Sequence, residues 1–511
     1  MRKKLPWILI LLFVLALAAR LLPGPRIIDD SFITYRYARN ILAGEGFVFN
    51  PGVAVLGTTT PLYTLLMAAL ALPFGSVNAP FAEISWIINA LFDGVTCILL
   101  YQLGKKLNYP KAGLATALVW AVAPYSVTFS IGGLETSLYV LLLTAAVWSY
   151  LEQRYTLTAL SAGVSILTRP DAVLLAAPLV LDRLYLAWRK QPRLGWQEWP
   201  ALLGIPLIWF TYATLVFGSP IPHSVTAKLA VYRLGDYASL IRFVQHYATP
   251  FLDQHLYGTM AIGVGLVLYP FLAILGGRAA LRRSARIWPW VIFPWVYLLV
   301  FSIPNPLIFR WYLTPPLPAY FLCILISLES IGNALLKNAK TGAAQEAVQA
   351  GVIALMFVYP LLGNLSAWTL HPDHGADRPA PQMAFIKLEL LYQQAAEIIK
   401  PHLHPGDVLA AGDVGVLGFE TNAVILDTVG LNSTESLDYY PLDASAYIIN
   451  YAIPTPLILD QHPQAVIVLE SYARNTFLQD PDFQARYFLL EKLDTDLYDS
   501  DGMLIFLQDC N

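Results

Sequence analysis

The chain has 511 residues, of which 57% are hydrophobic and only 13% are charged, and its mean hydropathy is +0.55. Soluble domains average about 45–50% apolar and 25% charged residues, so the composition excludes a soluble globular protein and indicates an integral membrane protein. The net charge of −3, with scattered basic residues, excludes a nucleic-acid-binding surface. Cys97, Cys323 and Cys510 show neither a disulfide framework nor metal-ligand spacing.

Many segments have the length and hydropathy of membrane spans. A spanning helix needs about 20 mostly apolar residues to cross the ~30 Å hydrocarbon core, and on that measure we predict about eleven spans. They are 5–23, 81–103, 113–129, 135–151, the pair 157–168 and 172–188, 200–217, 256–276, 287–303, 311–329 and 347–366. Residues 60–73 are shorter and lie between prolines, so we predict a juxtamembrane helix there. The polytopic domain covers residues 1–366.

The distribution of basic residues sets the orientation, because cytoplasmic loops carry the Lys/Arg excess. If residues 60–73 lie flat at the outer interface, the basic loops near Lys105 and Arg189 and the cluster at 278–286 all fall inside. We therefore predict a plasma-membrane protein with a cytoplasmic N-terminus and an extracytoplasmic C-terminal domain. The N-terminus also resembles a secretory signal, but an uncleaved span is favoured because many spans follow.

The tail, residues 367–511, changes character. Residues 381–400 have the pattern of an amphipathic helix, and strand patterns follow it at 408–411, 423–426, 465–469 and 503–507. Strands that alternate with helices indicate a small α/β domain. The predicted fold class is an all-α polytopic membrane domain with juxtamembrane helices in a first outer loop at 24–80, followed by an extracytoplasmic α/β domain.

The first outer loop carries two adjacent carboxylates. Asp29 and Asp30 stand where the first span gives way to water, and Arg36 and Arg39 follow on a candidate amphipathic helix. Asp30 or the serine after it can cap this helix near residue 32, and Gly44 can end it. We expect the helix to lie along the membrane surface, with its charged groups at the depth of the lipid headgroups.

Three interpretations of this loop are open. In glycosyl transfer from a lipid-linked phosphosugar, one carboxylate takes the proton of the acceptor hydroxyl while cationic side chains neutralise the departing phosphate. Alternatively, Asp29 and Asp30 bind a divalent metal ion, Mg²⁺ or Mn²⁺, that does the neutralising. In the plainest interpretation both aspartates are solvated caps of a surface helix.

Ordered motifs extend from this loop along the chain. They lie at 29–40, 44–52, 59–63, 132–136, 167–171, 217–222, 310–313, 412–415 and 427–431. With these motifs the chain resembles the GT-C superfamily of membrane glycosyltransferases, in particular the terminal arabinofuranosyltransferases of mycobacterial cell walls. Protein O-mannosyltransferases and aminoarabinose transferases are more distant. The resemblance implies transfer of a sugar, with inversion, from a polyprenyl-phosphate donor to an extracytoplasmic glycan, glycolipid or protein of the cell envelope.

The resemblance also implies roles for particular residues. The first-loop aspartates of such enzymes carry the acid/base role, which maps onto Asp29 and Asp30, and Asp29 is favoured as the base because Asp30 is better placed to cap. The candidates for binding the donor phosphate are Arg36, Arg39, Arg169, Lys228 and Arg310. The candidates for lining the acceptor cavity are Glu135, Tyr35 and Tyr312.

Several of these side chains have a simpler interpretation. Arg169 lies between two half-spans, where a buried charge is costly and usually functional, yet it could instead pair with Asp171 and hold the hairpin. Lys228 and Arg310 could be ordinary interfacial cations that reach the headgroups. Glu135 could simply cap its helix.

Cofactor use and two rival functions stay open. The resemblance fixes no cofactor, since some relatives use a divalent metal ion and others do not. His371, Asp373 and His374 could also bind a metal, but the proline and glycine around them are typical of a linker. The rivals are a transporter or flippase for a lipid-linked saccharide and a non-catalytic envelope-assembly protein. Transporters tend to show internal repeats, and none is visible in this sequence. An assembly protein that uses its membrane part only as an anchor would need fewer spans.

Overall fold

The computed structural model describes residues 7–189, 192–370, 377–383 and 386–509. Within these ranges the chain is mostly helical. The earlier helices are α1 (Trp7–Leu21), α2 (Asp29–Ala43), α3 (Pro61–Ala71), α4 (Phe81–Lys106), α5 (Pro110–Val122), α6 (Pro124–Ile131), α7 (Thr136–Leu151), α8 (Tyr155–Thr168), α9 (Val173–Trp188) and α10 (Glu198–Phe217). The later helices are α11 (His223–Val231), α12 (Ala238–Ala248), α13 (Gln254–Tyr257), α14 (Thr259–Arg283), α15 (Trp288–Ser302), α16 (Leu317–Asn338), α17 (Gly342–Ile353), α18 (Tyr359–Leu365), α19 (Ile386–Ile399), α20 (Gly415–Thr421), α21 (Thr455–Gln461) and α22 (Pro481–Arg486).

The chain is a multi-pass membrane protein, although the expectation of about eleven spans is not confirmed. In the described residues six helical segments are long and apolar enough to cross, namely Phe81–Lys106, Glu198–Phe217, Thr259–Arg283, Ala285–Ser302, Arg310–Asn338 and Gly342–Leu365. Other predicted spans are shorter helices, such as α7 with 16 residues and α8 with 14. At 1.5 Å per residue these reach only about 21–24 Å along the axis, against a core of about 30 Å.

Two of the predicted spans are broken at prolines. The segment expected at 113–129 consists of α5 and α6, which meet at an angle of 45°, because Ala123 before Pro124 is extended. The expected break between 157–168 and 172–188 is confirmed, since α8 ends before Arg169 and α9 begins after a short 3₁₀ turn. The juxtamembrane helix predicted at 60–73 is observed as α3.

The described chain divides into two compact units, each discontinuous in sequence. The first unit comprises Met1–Arg26, Ser85–Ile208 and Tyr237–Met383, and the second comprises Ile27–Ile84, Trp209–Asp236 and Ala384–Asn511. Most of the first outer loop and most of the tail therefore belong to one unit. The domain boundary placed between residues 366 and 367 stays a prediction.

A buried ion pair lies in the core of the first unit. Arg20 Nε donates to Asp93 Oδ2 at 2.8 Å, and both side chains are almost fully buried. Asp93 also accepts hydrogen bonds from Trp120 Nε1 and Ser137 Oγ, and Arg20 donates to Ser126 Oγ. The network thus satisfies two charges in a region where an unpaired charge would be very costly.

The second unit contains a five-stranded sheet. Its strands are β3 (Val408–Ala411), β4 (Val424–Asp427), β5 (Ala465–Leu469), β6 (Tyr487–Leu493) and β7 (Met503–Gln508), in the order β4-β3-β5-β7-β6. Strand β3 is parallel to β4 and β5, whereas β7 is antiparallel to β5 and β6. The four predicted strands are confirmed, and edge strand β6 was missed because most of its residues are not buried. A short pair, β1 (Trp368–Thr369) and β2 (Ala380–Pro381), belongs to the first unit.

Helix α2 differs from the expected surface helix. It begins at Asp29, earlier than predicted, and its N-cap is Ile28 without a side-chain cap, so capping by Asp30 or Ser31 was wrong. It ends at Gly44, as predicted, in the left-handed conformation. Because α3 and α20 pack against α2, most of its residues are buried, including several polar ones.

Removal of the Asp93 carboxylate should destabilise the first unit. Asp93→Asn leaves Arg20 buried without its counter-charge, and breaking a buried ion pair costs about 3–5 kcal/mol. We expect a clearly lower Tm for the purified protein in detergent. The matched control is Glu152→Gln, which removes the partly exposed partner of Lys106, 3.0 Å away, and should change Tm little. Equal Tm values for the two variants would contradict the stabilising role of the network.

Candidate active site

Asp29 is held by both of its carboxylate oxygens. Oδ2 accepts a hydrogen bond from the backbone N–H of Gly415 at 2.9 Å, and Oδ1 accepts one from Val416 at 2.7 Å. These N–H groups open α20 and have no partners inside that helix. The backbone N–H of Asp29 in turn donates to Oε1 of Glu389 on α19 at 3.1 Å. The start of α2 is thus fixed to two helices of the C-terminal segment.

Asp30 has a more open environment than its neighbour. Asp29 is buried, whereas Asp30 is only half-buried. Lys228 on α11 is also half-buried. Burial raises the pKa of Asp30, and the positive charge of Lys228 lowers it. The structure therefore brings together three of the predicted site residues, and it leaves Asp30 the more accessible of the two aspartates.

The C-terminal segment adds three ionisable side chains that sequence reasoning left without a role. Asp413 follows β3 and accepts a hydrogen bond from the hydroxyl of Tyr392 at 2.8 Å. Burial raises the pKa of Asp413 to about 6, with the Tyr392 hydrogen bond lowering it and the charge of Asp30 raising it. Burial also raises the pKa of Glu389 well above its usual range, and the charges of Asp29 and Asp413 raise it further. The sequence did contain a signal for Asp413, because its carboxylate lies just beyond the end of a parallel strand, where ligands commonly bind.

The pKa of Asp29 is raised as well. Burial is the main cause, the charges of Asp413 and Asp30 contribute, and the hydrogen bonds from Val416 and Gly415 oppose the shift. Four carboxyl groups thus influence one another within the second unit. Groups with pKa values shifted by burial and like charge are typical of catalytic acids and bases.

A divalent metal ion at the acidic pair stays an open prediction. Each oxygen of Asp29 accepts one backbone N–H donor, and a carboxylate oxygen that accepts one hydrogen bond keeps a lone pair that a metal ion can use. In the described part of the chain, no three His, Cys, Asp or Glu side chains are arranged to hold a metal ion. The alternative metal candidates His371, Asp373 and His374 lie outside the described residues.

Arg36 and Arg39 are engaged with the protein itself. Arg36 is buried, and it donates to the carbonyl oxygens of Phe49 at 2.8 Å and Ala423 at 2.6 Å, and to Asn50 Oδ1 at 3.2 Å. Arg39 donates to the carbonyl oxygen of Phe419 at 3.0 Å, and its guanidinium lies over the Phe419 ring. These contacts give both side chains a structural role in joining α2 to its neighbours.

Tyr35 lies in an aromatic cluster of the second unit. Its fully buried ring stacks on Phe81 with ring centroids 5.8 Å apart and meets Phe32 and Phe419 edge-on. These contacts place its ring in the packing of α2.

Arg169, Glu135 and Tyr312 come together in the first unit, as a separate cluster. Arg169 pairs with Glu135 at 3.3 Å and with Asp171 at 3.0 Å, and its guanidinium lies 4.4 Å from the ring centroid of Tyr312. Asp171 also accepts a hydrogen bond from Tyr297 at 2.7 Å. The Arg169–Asp171 pair considered as the simpler interpretation is therefore present. Arg310 is exposed at the start of a 3₁₀ turn.

Comparison with known proteins matches two parts of the chain to families. Residues 58–217 match the family described as dolichyl-phosphate-mannose-protein mannosyltransferase, and residues 383–506 match a domain of unknown function, DUF8728. The chain is also 25% identical over 283 residues to the terminal β-(1→2)-arabinofuranosyltransferase of Mycobacterium tuberculosis. That alignment covers 50% of this chain and 42% of the relative, less than half of the relative's own length.

Solved structures share the fold over nearly the whole chain. ArnT from Cupriavidus metallidurans, bound to undecaprenyl phosphate, has a TM-score of 0.57 at 13% identity, covering 98% of this chain and 97% of its own. The archaeal oligosaccharyltransferase AglB from Archaeoglobus fulgidus, in complex with an inhibitory peptide and a dolichol-phosphate, has a TM-score of 0.57 at 12% identity, covering 95% and 73%. At these identities the likeness concerns the fold. Together with the family match at 58–217, it confirms the resemblance of this chain to the GT-C superfamily of membrane glycosyltransferases.

Proposed function

We propose that this chain is a membrane glycosyltransferase that moves a sugar from a polyprenyl-phosphate donor to an extracytoplasmic glycan, glycolipid or protein of the cell envelope, with inversion. The observation that carries the proposal is the half-buried Asp30 beside Lys228, at the start of a helix whose first residue is anchored on both oxygens. The shared fold supports it, since ArnT is bound to undecaprenyl phosphate and AglB to a dolichol-phosphate.

In this mechanism Asp30 is the base. The earlier preference for Asp29 assumed that Asp30 caps α2, and the structure shows no such cap. Both carboxylate oxygens of Asp29 instead accept hydrogen bonds from the start of α20. We therefore assign Asp29 the role of positioning Asp30. The raised pKa of Asp30 makes its carboxylate a stronger base than an ordinary aspartate.

Transfer is then a single displacement. The acceptor O–H bond breaks and its proton passes to the Asp30 carboxylate, while the acceptor oxygen bonds to the anomeric carbon of the donor. The bond from that carbon to the phosphate oxygen breaks, and the electron pair leaves with the polyprenyl phosphate. Lys228, close enough to Asp30 to influence its pKa, supplies a positive charge for the phosphate. Attack opposite to the leaving group inverts the anomeric centre.

The contacts of Asp29 also support the proposed orientation. Because the first loop and the C-terminal segment are hydrogen-bonded to each other, they lie on the same side of the membrane. The basic loops, which are predicted to be cytoplasmic, favour the outer side of the membrane for both segments. The donor sugar and the acceptor would then meet at the outer surface.

The proposal is tested by sugar transfer with purified protein in lipid. Radiolabelled polyprenyl-phosphate pentoses and hexoses are offered to membrane-extracted acceptors, with Asp29→Asn/Asp30→Asn as the inactive control. Transfer from one donor, lost in the double variant, is expected. If folded protein transfers no sugar from any donor to verified acceptors, the enzyme proposal fails. A lipid-linked saccharide flipping assay in vesicles then tests the transporter alternative.

Single variants should separate the two aspartates. Asp30→Asn removes the base, so we expect about a 10²–10⁴-fold loss of transfer rate with unchanged Tm. Asp29→Asn keeps one of the two acceptor oxygens and should cost less activity. The exposed Asp236→Asn in the same unit is the control and should be neutral. Loss of transfer in Asp29→Asn with activity retained in Asp30→Asn would reverse the two roles.

Lys228 should affect donor binding. A hydrogen bond to a charged group contributes about 1.5–3 kcal/mol, so Lys228→Ala should raise the donor KM about 10- to 150-fold. Lys228→Arg should retain most of the affinity. Arg36→Lys is the contrasting variant, because lysine cannot replace the three hydrogen bonds of Arg36, and it should lower Tm without changing the donor KM. An unchanged donor KM in Lys228→Ala would remove Lys228 from the phosphate site.

A further inference from the structure

The C-terminal segment contributes a second half-buried carboxylate close in sequence to the turn that holds Asp29. Asp413 lies in the turn between β3 and α20, two residues before the Gly415 N–H that holds Asp29. The hydrogen bonds that anchor Asp29 therefore also fix the position of Asp413 relative to the start of α2. All of these residues belong to the second unit.

Only one of the two carboxylate oxygens of Asp413 accepts a hydrogen bond within the described residues. Tyr392, which is fully buried, donates its hydroxyl to Asp413 Oδ2 at 2.8 Å. The other oxygen, Oδ1, makes no hydrogen bond within the described ranges, and the residue is only half-buried. One oxygen is thus fixed by the protein while the other can accept a proton.

Asp413 and Asp30 respond to each other's charge. The negative charge of Asp30 raises the pKa of Asp413, whereas the Tyr392 hydrogen bond lowers it. Two like charges in a partly desolvated site disfavour double ionisation, so the last proton leaves the pair at a higher pH than it would leave either carboxyl group alone. The groups that interact electrostatically with the pair are Asp29, Lys228, Tyr232, Glu389, Tyr392 and Tyr472.

We propose that Asp413 is a positioning residue of the active site, whose negative charge helps Asp30 to take and hold the proton of the acceptor hydroxyl. The inference rests on the proposed function. The proton moves from the acceptor oxygen to Asp30, stays on Asp30 under the influence of the Asp413 charge while the polyprenyl phosphate leaves, and is then released to water. No other reactant is needed, and Asp413 itself forms no bond to the sugar.

This proposal gives the C-terminal segment a part in the reaction. Asp413, Tyr392 and Glu389 all lie within residues 383–506, the stretch that matches a domain of unknown function. In this role the domain completes a site whose base comes from the first outer loop.

Two variants should move the pH dependence in opposite directions. Asp413→Asn removes the neighbouring negative charge, so the pKa of Asp30 falls and the acid limb of kcat/KM shifts to lower pH. Tyr392→Phe removes the hydrogen bond that stabilises ionised Asp413, so the acid limb shifts to higher pH. We expect Asp413→Asn to lower kcat by less than the roughly 10²–10⁴-fold loss expected for Asp30→Asn, with an unchanged donor KM. Asp413→Glu should restore the wild-type profile.

A second measurement does not depend on activity. Infrared titration of the purified wild-type protein should show a carboxyl group that ionises near pH 6, the value to which burial raises the pKa of Asp413. The signal should be absent in Asp413→Asn and should shift to lower pH in Asp30→Asn. These titrations test the interaction between Asp413 and Asp30 independently of the proposed glycosyltransferase activity. The same titration result is expected whether or not sugar transfer is found.

Either of two results overturns the proposal. One is an acid limb that stays in place in both Asp413→Asn and Tyr392→Phe, which would leave Asp413 a merely structural residue. The other is a carboxyl titration that is the same in wild type and Asp30→Asn, which would show that the two groups do not interact. Failure of transfer by folded wild-type protein, with the titration as expected, would instead overturn the proposed function alone.

Discussion

A buried carboxylate is costly unless its oxygens find donors, and Asp29 finds two at the start of α20. The approach is so close that a Cβ atom at position 415 would overlap the backbone carbonyl oxygen of Asp29, so glycine is required there. The same contact fixes the first turn of α2, and with it the direction of Asp30. The open position of Asp30 beside Lys228 thus depends on a turn almost four hundred residues further along the chain.

The two tail motifs noted in the sequence serve different purposes. Asp427 is fully buried, and its carboxylate accepts hydrogen bonds from the backbone N–H groups of Val429, Gly430 and Asn432, which closes the loop after β4. Every oxygen of that side chain is used by the loop itself. Asp413, two residues beyond the end of β3, accepts a hydrogen bond at one oxygen only within the described part of the chain and is influenced by the charges of other carboxylates. The difference in hydrogen bonding, and not in residue type, distinguishes a structural aspartate from a candidate site residue.

Features that depend on local sequence pattern could be predicted from the sequence. Contacts between residues distant in sequence could not. The paired aspartates stood out because they are adjacent at the end of an apolar segment, and strands such as β5 stood out as short apolar runs. Glu389 and Tyr392 sit on an ordinary amphipathic helix, and nothing near them in sequence indicates that the start of α2 packs there. Arg36 was misleading for the same reason, since its partners at residues 49, 50 and 423 are distant in sequence.

The charges suit a reaction in which a proton and a leaving group move together. Displacement places negative charge on the polyprenyl phosphate while the acceptor proton reaches the carboxylates, so the net charge of the site stays constant. A group of carboxyls with raised pKa values can take up that proton near neutral pH. Arg169 belongs to the first unit and lies with Glu135 and Asp171, and that cluster as a whole carries no net positive charge. In the proposed reaction the charge for the phosphate comes from Lys228, which influences Asp30, and the proton acceptor is Asp30 itself; both lie in the unit that contains the Asp29 contact.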